Sequence, residues 1–105
     1  MSDAKRLCAA DEIPSGEVRR FVVDGHKIAV VRLDDDFYAI GDTCTHQNIS
    51  LSEGEVHADE LELECWKHGS SFSLETGEPN SLPATRPVPV FELRRDGDDL
   101  WVVMP

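Results

Sequence analysis

The sequence predicts an all-β fold, and three features of the chain support this. Segments rich in Val, Ile and Phe recur roughly every ten residues, as in a small sandwich or barrel. Asp-Gly pairs, which favour tight hairpin turns, separate such segments at two places. Long helical periodicity is missing, and prolines interrupt the segments that could otherwise form helices. We therefore expect antiparallel strands joined by short turns.

Several strand-like segments follow one another along the chain. Asp24-Gly25 separates the first two, and the acidic run Asp34–Asp36 forms a polar turn before the third. Alternating Leu and Glu then indicate a half-buried strand, and Asp96-Gly97 separates the last two segments. The predicted strands are Val18–Val23, Lys27–Leu33, Phe37–Ile40, Leu61–Cys65, Val90–Arg94 and Leu100–Met104.

Length and composition indicate one folded domain. The chain has 105 residues, of which 40% are hydrophobic and 30% are charged, as is typical of a globular protein. Its apolar runs are only a few residues long, too short to cross a bilayer. The N-terminal residues contain no apolar signal core, so we expect a cytoplasmic protein. In that reducing compartment a Cys is more often a metal ligand or a buried side chain than half of a disulfide.

The chain is strongly acidic. Ten basic and 21 acidic residues give a net charge of −11. Such a surface repels nucleic acid and anionic lipid and attracts basic patches on a protein partner. We therefore expect neither a nucleic-acid nor a membrane partner, although solubility alone is an equally good reason for the charge.

Two short stretches each place a thiol near an imidazole. In CTHQN, Cys44 precedes His46, and in CWKHGSSF, Cys65 precedes His68. These stretches hold two of the three Cys and two of the four His of the chain. Both fall between predicted strands, where loops present functional groups on a rigid scaffold. Because thiolate and imidazole bind zinc, copper and iron–sulfur centres, the four residues predict a metal site.

The spacing of these residues leaves two kinds of metal site open. Zinc fingers usually place a Cys pair before a His pair, whereas here each stretch supplies one of each. The mixed order suits a binuclear cluster better, because each stretch then offers a thiolate to one metal and an imidazole to the other. A structural zinc site remains the alternative.

This constellation and its flanks resemble the Rieske [2Fe–2S] proteins, in which two His replace two Cys on one iron. The likeness covers nearly the whole chain, including the segments LSEG, CWKHGSSF, ETGEP and PATRPVPVFEL. By this resemblance Cys44 and Cys65 hold the inner iron, and His46 and His68 hold the outer iron, of one cluster per chain. The resemblance also implies stacked antiparallel sheets, with a cluster-binding subdomain of two ligand loops. Residues 1–105 would then form a single domain whose cluster-binding portion spans about 42–84.

Departures from the pattern of other members indicate which branch of the family the chain resembles. Neither ligand loop has the extra Cys that forms a bridging disulfide in the respiratory and photosynthetic members, so the chain resembles the ferredoxin branch. Ser70 matches the serine of those high-potential proteins, but Phe72 stands where they place a tyrosine. Trp66 replaces a common proline and either covers the cluster or docks a partner. The segment Ser81–Pro87 resembles the proline loop that covers the cluster.

The resemblance implies a one-electron carrier that is not itself an enzyme. Its partners would be a flavin-dependent NAD(P)H reductase and a terminal non-haem iron oxygenase, and we expect a monomer. The two remaining His, His26 and His57, do not suggest a separate mononuclear iron site. Alternatives are a non-catalytic subunit of a reductase such as nitrite reductase, a protein of iron–sulfur assembly or redox sensing, or a zinc module. Cys8 is expected to be a buried strand residue, and Trp101 a core residue.

Overall fold

The computed structural model describes residues 3–43, 50–66, 70–79 and 86–104. Within these ranges nine strands form two antiparallel sheets, and two single-turn 3₁₀ helices span Ala10–Glu12 and Leu51–Glu53. The strands are β1 (Asp3–Ala9), β2 (Val18–Val23), β3 (His26–Leu33), β4 (Asp36–Gly41), β5 (Glu55–His57), β6 (Glu62–Glu64), β7 (Ser71–Ser73), β8 (Val90–Asp96) and β9 (Asp99–Met104).

The larger sheet has six strands in the order β1-β9-β8-β4-β3-β2. Its two halves, β1-β9-β8 and β4-β3-β2, meet where Ala39 and Ile40 of β4 pair with Phe91 and Val90 of β8. The smaller sheet has the order β5-β6-β7 and lies between β4 and β8 in sequence. The all-β prediction, with stacked antiparallel sheets, is therefore confirmed.

Strand β3 lies between two hydrophobic cores, which explains its unbroken apolar run. Ile28 and Val30 pack into a core shared with β1, β8 and β9. Ala29 and Val31 point the other way, into a core shared with the smaller sheet. A strand buried on both faces reads as continuous hydrophobic sequence because alternate side chains have no solvent-facing side. The smaller sheet is thus packed on the outer face of β3 and β4.

Tight turns follow the predicted positions with one shift. Asp24 and Gly25 both have positive φ, 50° and 81°, as a two-residue type I′ hairpin turn requires. In the last hairpin Asp96 pairs with Asp99, so the turn residues are Gly97 and Asp98 rather than Asp96 and Gly97. The shift follows from φ: Gly97, at 62°, occupies the first central position, where a type II′ turn needs glycine.

The strand predictions hold for six strands, with ends that move by a few residues. The predicted strand Leu61–Cys65 is shorter because Leu61 has a positive φ of 55° and belongs to the preceding turn. Among the described residues, no helix is long and apolar enough to cross a membrane.

Candidate metal centre

The first Cys–His stretch is carried by a closed neck of backbone. Thr43 and Ser50 form an antiparallel bridge, and the amide of Leu51 donates a hydrogen bond to the carbonyl of Asp42. These contacts bring together the two ends of the segment 44–49. The described residues on either side of the segment therefore lie next to each other at the end of β4.

The second stretch begins at the end of the β6–β7 hairpin. Glu64 pairs with Ser71, and the amide of Cys65 donates a 2.7 Å hydrogen bond to the carbonyl of Ser70. Cys65 and Ser70 are both fully buried. The strand pair thus holds Cys65 beside Ser70 just beyond its paired ends, and Trp66 follows Cys65.

Cys65 and Ser70 form the neck of the second stretch, and the two necks share one apolar core. Leu51 of the first neck and Leu63 of β6 are completely buried, and both belong to the same apolar core as Cys65 and Phe72. Chain segments that are distant in sequence therefore bring both loop bases to one end of the smaller sheet, as a shared metal site requires.

Only one of the four predicted ligands lies in the described part of the chain. Cys65 is buried and is not in a disulfide. Cys44, His46 and His68 lie outside the described residues, as do Lys67 and most of the predicted covering loop, 81–85. What the structure adds for these residues is the position of the necks from which their loops start.

The third cysteine has a different environment. Cys8 lies on β1, is nearly fully buried, and packs into the core between β1, β3 and β9. Burial raises the pKa of its thiol, nearby Glu12 raises it further, and Arg6 partly opposes them. A protonated, enclosed thiol is a poor nucleophile and a poor metal ligand. The prediction that Cys8 is a buried strand residue is confirmed.

Aromatic side chains near the necks differ sharply in exposure. Phe72 is completely buried in the core that contains Cys65, whereas Trp66 is 55% exposed. An exposed Trp beside a ligand position favours the docking interpretation of this residue over the covering one. Trp101, predicted as core, is only partly buried on β9.

A carboxylate that the sequence did not single out is buried at the first neck. Asp42 is only 1% exposed. Its Oδ1 accepts a 2.8 Å hydrogen bond from the amide of Ser52, and its Oδ2 accepts the hydroxyl of Ser50. Arg20 of β2 places its Nε 3.0 Å from the same Oδ2. The sequence analysis makes no prediction for Asp42, because its burial depends on partners from other parts of the fold.

One imidazole of the smaller sheet has carboxylate neighbours. His57 is half-buried, and its Nε2 lies 3.2 Å from Oε1 of Glu64. That hydrogen bond raises the pKa of His57 against the opposing effect of burial, and the charges of Glu64, Glu55 and Glu60 raise it further. Ligand atoms of Glu55, His57 and Glu64 all lie within 4.8 Å of one another. This set contains one His, whereas the mononuclear iron sites of oxygenases use two His and one carboxylate.

Acidic residues are concentrated on the smaller sheet and its connections. Residues 50–66 and 70–79 contain eight of the 21 Asp and Glu but no Lys or Arg. Strands β5 and β6 present Glu55, Glu62 and Glu64 within three residue pairs. The part of the molecule nearest the necks is therefore its most negative region.

The chain is similar to a known family and to known proteins over most of its length. The Rieske [2Fe–2S] domain family matches residues 3–92. Ferredoxin CarAc from Metapseudomonas resinovorans is 42% identical over 98 residues, covering 92% of this chain and 90% of the relative.

Two solved structures have a similar fold over nearly the full chain. The ferredoxin of carbazole 1,9a-dioxygenase from Nocardioides aromaticivorans IC177 aligns with a TM-score of 0.92 at 36% identity, covering 97% of both chains. A chain from a complex of reduced oxygenase and oxidised ferredoxin in carbazole 1,9a-dioxygenase aligns with a TM-score of 0.87 at 40% identity, covering 95% of this chain and 92% of that chain.

Proposed function

The chain belongs to the Rieske [2Fe–2S] family, and from this premise we propose that it carries single electrons from a flavin-dependent NAD(P)H reductase to a terminal non-haem iron oxygenase. The observation that carries this proposal is the 42% identity, over almost the whole chain, to a ferredoxin. A second relative of known structure is the ferredoxin of a dioxygenase system. A cytoplasmic location is part of the same proposal.

The redox group of the protein is one [2Fe–2S] cluster, which supplies one reversible electron when bound. We propose that its ligands are Cys44, His46, Cys65 and His68, with the cysteines on the inner iron. The described residues fit this group. Cys65 is a buried thiol outside any disulfide, and its backbone is fixed by the hydrogen bond to Ser70. The two loop bases also lie against each other, so both loops start from the same end of the smaller sheet.

The surrounding residues have distinct tasks in this proposal. Leu63 and Phe72 close the core beneath Cys65 and keep water from that side of the thiolate. Exposed Trp66 gives a partner an apolar contact beside the second loop. The acidic smaller sheet attracts a basic partner surface and accelerates encounter. We propose that residues 42–84 form the cluster-binding portion of a single domain, 1–105.

Metal content and ligand variants test this proposal. The pure protein should contain about two irons and two acid-labile sulfides per chain. Cys65→Ala should lose the visible spectrum and the iron, whereas Cys8→Ala, which removes a buried thiol from the other core, should keep both. Colourless protein that contains zinc would favour the zinc module. A coloured, iron-loaded Cys65→Ala protein would contradict the ligand assignment.

Reconstitution separates the electron-carrier role from the alternatives. The reduced protein should pass one electron to a Rieske-type aromatic-ring oxygenase. The measurement is the visible absorbance of the ferredoxin, which reports its oxidation in a single turnover. With reductase and NAD(P)H present, oxygenase turnover should depend on added ferredoxin. If the reduced protein is oxidised by nitrite reductase and by no oxygenase, the reductase-subunit alternative replaces the proposal.

A further inference from the structure

The strongest feature outside the proposed ligand set is the buried carboxylate of Asp42. A buried carboxylate is costly unless it is paired and hydrogen-bonded. Asp42 meets this requirement with partners from three places: Arg20 on β2, the hydroxyl of Ser50, and the amide of Ser52. The hydroxyls of Ser50 and Ser52 also lie 2.7 Å apart and extend the network.

The network joins both ends of one loop to the larger sheet. Asp42 precedes the segment 44–49, and Ser50 and Ser52 follow it. The amide of Asp42 donates a 3.0 Å hydrogen bond to the carbonyl of Lys27, which fixes this end of the loop to β3. Arg20 adds a contact to β2, so the neck is held to two strands through one side chain and its backbone.

We propose that Asp42, paired with Arg20, is a positioning residue that sets the placement of the loop carrying Cys44 and His46. The inference rests on the proposed function, because it takes those two residues to be cluster ligands. The thiolate and the imidazole of a binuclear site must be held to within a fraction of an ångström, and a loop alone is a less precise support than a strand. Asp42 ties this loop to the sheet.

A polar side chain at position 42 does more than fill space, because its hydrogen bonds fix the orientation of the neck. An apolar residue at position 42 would leave the amide of Ser52 and the hydroxyl of Ser50 without the acceptor they now share. The side chain of Arg20 is 45% exposed, whereas the carboxylate of Asp42 is almost completely buried, so the pair runs from the surface into the interior. We therefore expect the protein to fold without Arg20, but with altered placement of the loop that carries Cys44 and His46.

Amide variants of the pair provide the test. Arg20→Gln and Asp42→Asn each break the pair while keeping a side chain of similar size and hydrogen-bonding ability. Arg19→Gln is the matched control, because it removes the same charge from the same strand, where Arg19 pairs with exposed Glu17. The measurements are the rate of iron release to a chelator, the electron paramagnetic resonance spectrum of the reduced protein, and the temperature of global unfolding.

We expect Asp42→Asn to release iron about tenfold faster or more, because the carboxylate charge strengthens the hydrogen bonds from Ser50 and Ser52, and one charge-assisted bond corresponds to about a factor of ten in an equilibrium constant. Arg20→Gln should release iron severalfold faster, with Arg20→Lys partly restoring the wild-type rate. Both amide variants should alter the resonance spectrum of the intact cluster, which reports ligand geometry, while Arg19→Gln leaves rate and spectrum unchanged.

Two outcomes would overturn the inference. One is that Arg20→Gln and Arg19→Gln behave alike, because charge alone would then explain the effect. The other is that Asp42→Asn lowers the unfolding temperature and speeds iron release in parallel while the resonance spectrum stays wild-type, which is the result for general fold support. Wild-type protein without iron and sulfide would instead refute the proposed function, and that outcome is visible before any variant is made.

Discussion

Gly54 lies directly against the backbone of Glu64, and a Cβ added to Gly54 would lie 1.7 Å from the carbonyl oxygen of Glu64. Gly54 closes the turn after the first neck, and Glu64 precedes Cys65. The close approach is the point at which the base of one proposed ligand loop touches the base of the other. The φ of Gly54, −88°, suits any residue, so glycine is required here by the lack of space and not by the backbone conformation.

Gly54→Ala should therefore separate the two loop bases. The added methyl meets backbone that cannot move aside as a flexible side chain can, and overpacking of this kind costs about 1–3 kcal/mol. We expect a lower free energy of unfolding and faster loss of the visible spectrum on warming, measured by absorbance and circular dichroism on the same sample.

Gly16→Ala is the matched control for this substitution. Gly16 has a φ of 84° and open space around its α-carbon, so Ala there adds backbone strain without a collision. That strain costs about 1–2 kcal/mol and lies away from the ligand loops. Gly16→Ala should lower stability while absorbance and folded structure are lost together. Two results would contradict the role given to the contact. One is that Gly16→Ala loses absorbance before it loses folded structure. The other is that Gly54→Ala loses both together.

The sequence predicted the elements whose patterns are local. The apolar run of β3 and the Asp24-Gly25 turn follow from local residue preferences, and both were found where they were expected. Strands β5 and β7, three residues each, carry too little pattern of their own and exist through pairing with β6. The full extent of β1 was also not predicted, because polar residues dominate its first half.

The candidate site shows the same division. Cys65 was predicted at the end of a strand from the alternation of Leu and Glu, and the structure places it directly after β6. The burial of Asp42 depends on Arg20, which comes from another strand, so no pattern around residue 42 announces it. Nothing in the sequence around His57 indicates a carboxylate partner, but cross-strand pairing brings Glu64 to it. Tertiary partners decide these environments.

Phe72→Tyr should raise the reduction potential. Hydrogen bonds to the sulfurs of a cluster or its cysteines stabilise the reduced state, and Phe72, in the same core as Cys65, cannot donate one. The wild-type potential should lie toward the low end of the roughly −150 to +300 mV range of Rieske centres. Protein-film voltammetry measures both values.

Phe72→Leu is the control for changed packing at this position. It removes the ring without adding a donor, so it should not raise the potential as Phe72→Tyr does. A wild-type potential well above zero would contradict the argument from the missing donor. An unchanged potential in a stable Phe72→Tyr protein would show that the hydroxyl does not reach a sulfur.

His57 should make the stability depend on pH. Glu64 accepts its hydrogen bond and raises the pKa of the folded-state imidazole above the ordinary value near 6.5. A raised pKa means that the protonated form is stabilised by folding, so this contribution is fully present below about pH 6.5 and is lost as pH rises through the folded-state pKa. His57→Gln should therefore lower the unfolding temperature more at about pH 6 than at about pH 8.

Glu64→Gln isolates the carboxylate in this effect. The charge that favours protonated His57 is then gone while a hydrogen-bond acceptor remains. In that background, His57→Gln should have a much smaller pH-dependent effect, as read from unfolding temperatures across the same pH series. An equal effect of His57→Gln at both pH values in the wild-type background would show that the pair contributes no proton-linked stability.

The acidic smaller sheet should control how fast the protein meets the proposed reductase. Attraction between this sheet and a basic partner surface raises the second-order rate constant at low salt. The Debye length falls to about 8 Å at physiological ionic strength, so the rate should drop steeply as salt rises. Stopped-flow reduction under second-order conditions, across a salt series, measures the slope.

Charge variants locate the surface that produces this slope. Glu53→Gln with Glu55→Gln removes two exposed charges near the necks, whereas Asp11→Asn with Asp35→Asn removes two exposed charges elsewhere, from the first 3₁₀ helix and from the turn between β3 and β4. Both pairs change the net charge equally, so only position distinguishes them. We expect the first pair to lower the low-salt rate and flatten the salt profile, and the second to change both little. Equal effects would assign steering to the overall charge of −11.

A flat wild-type profile would mean that docking depends on apolar contacts such as Trp66, and Trp66→Ala should then slow reduction at every salt concentration.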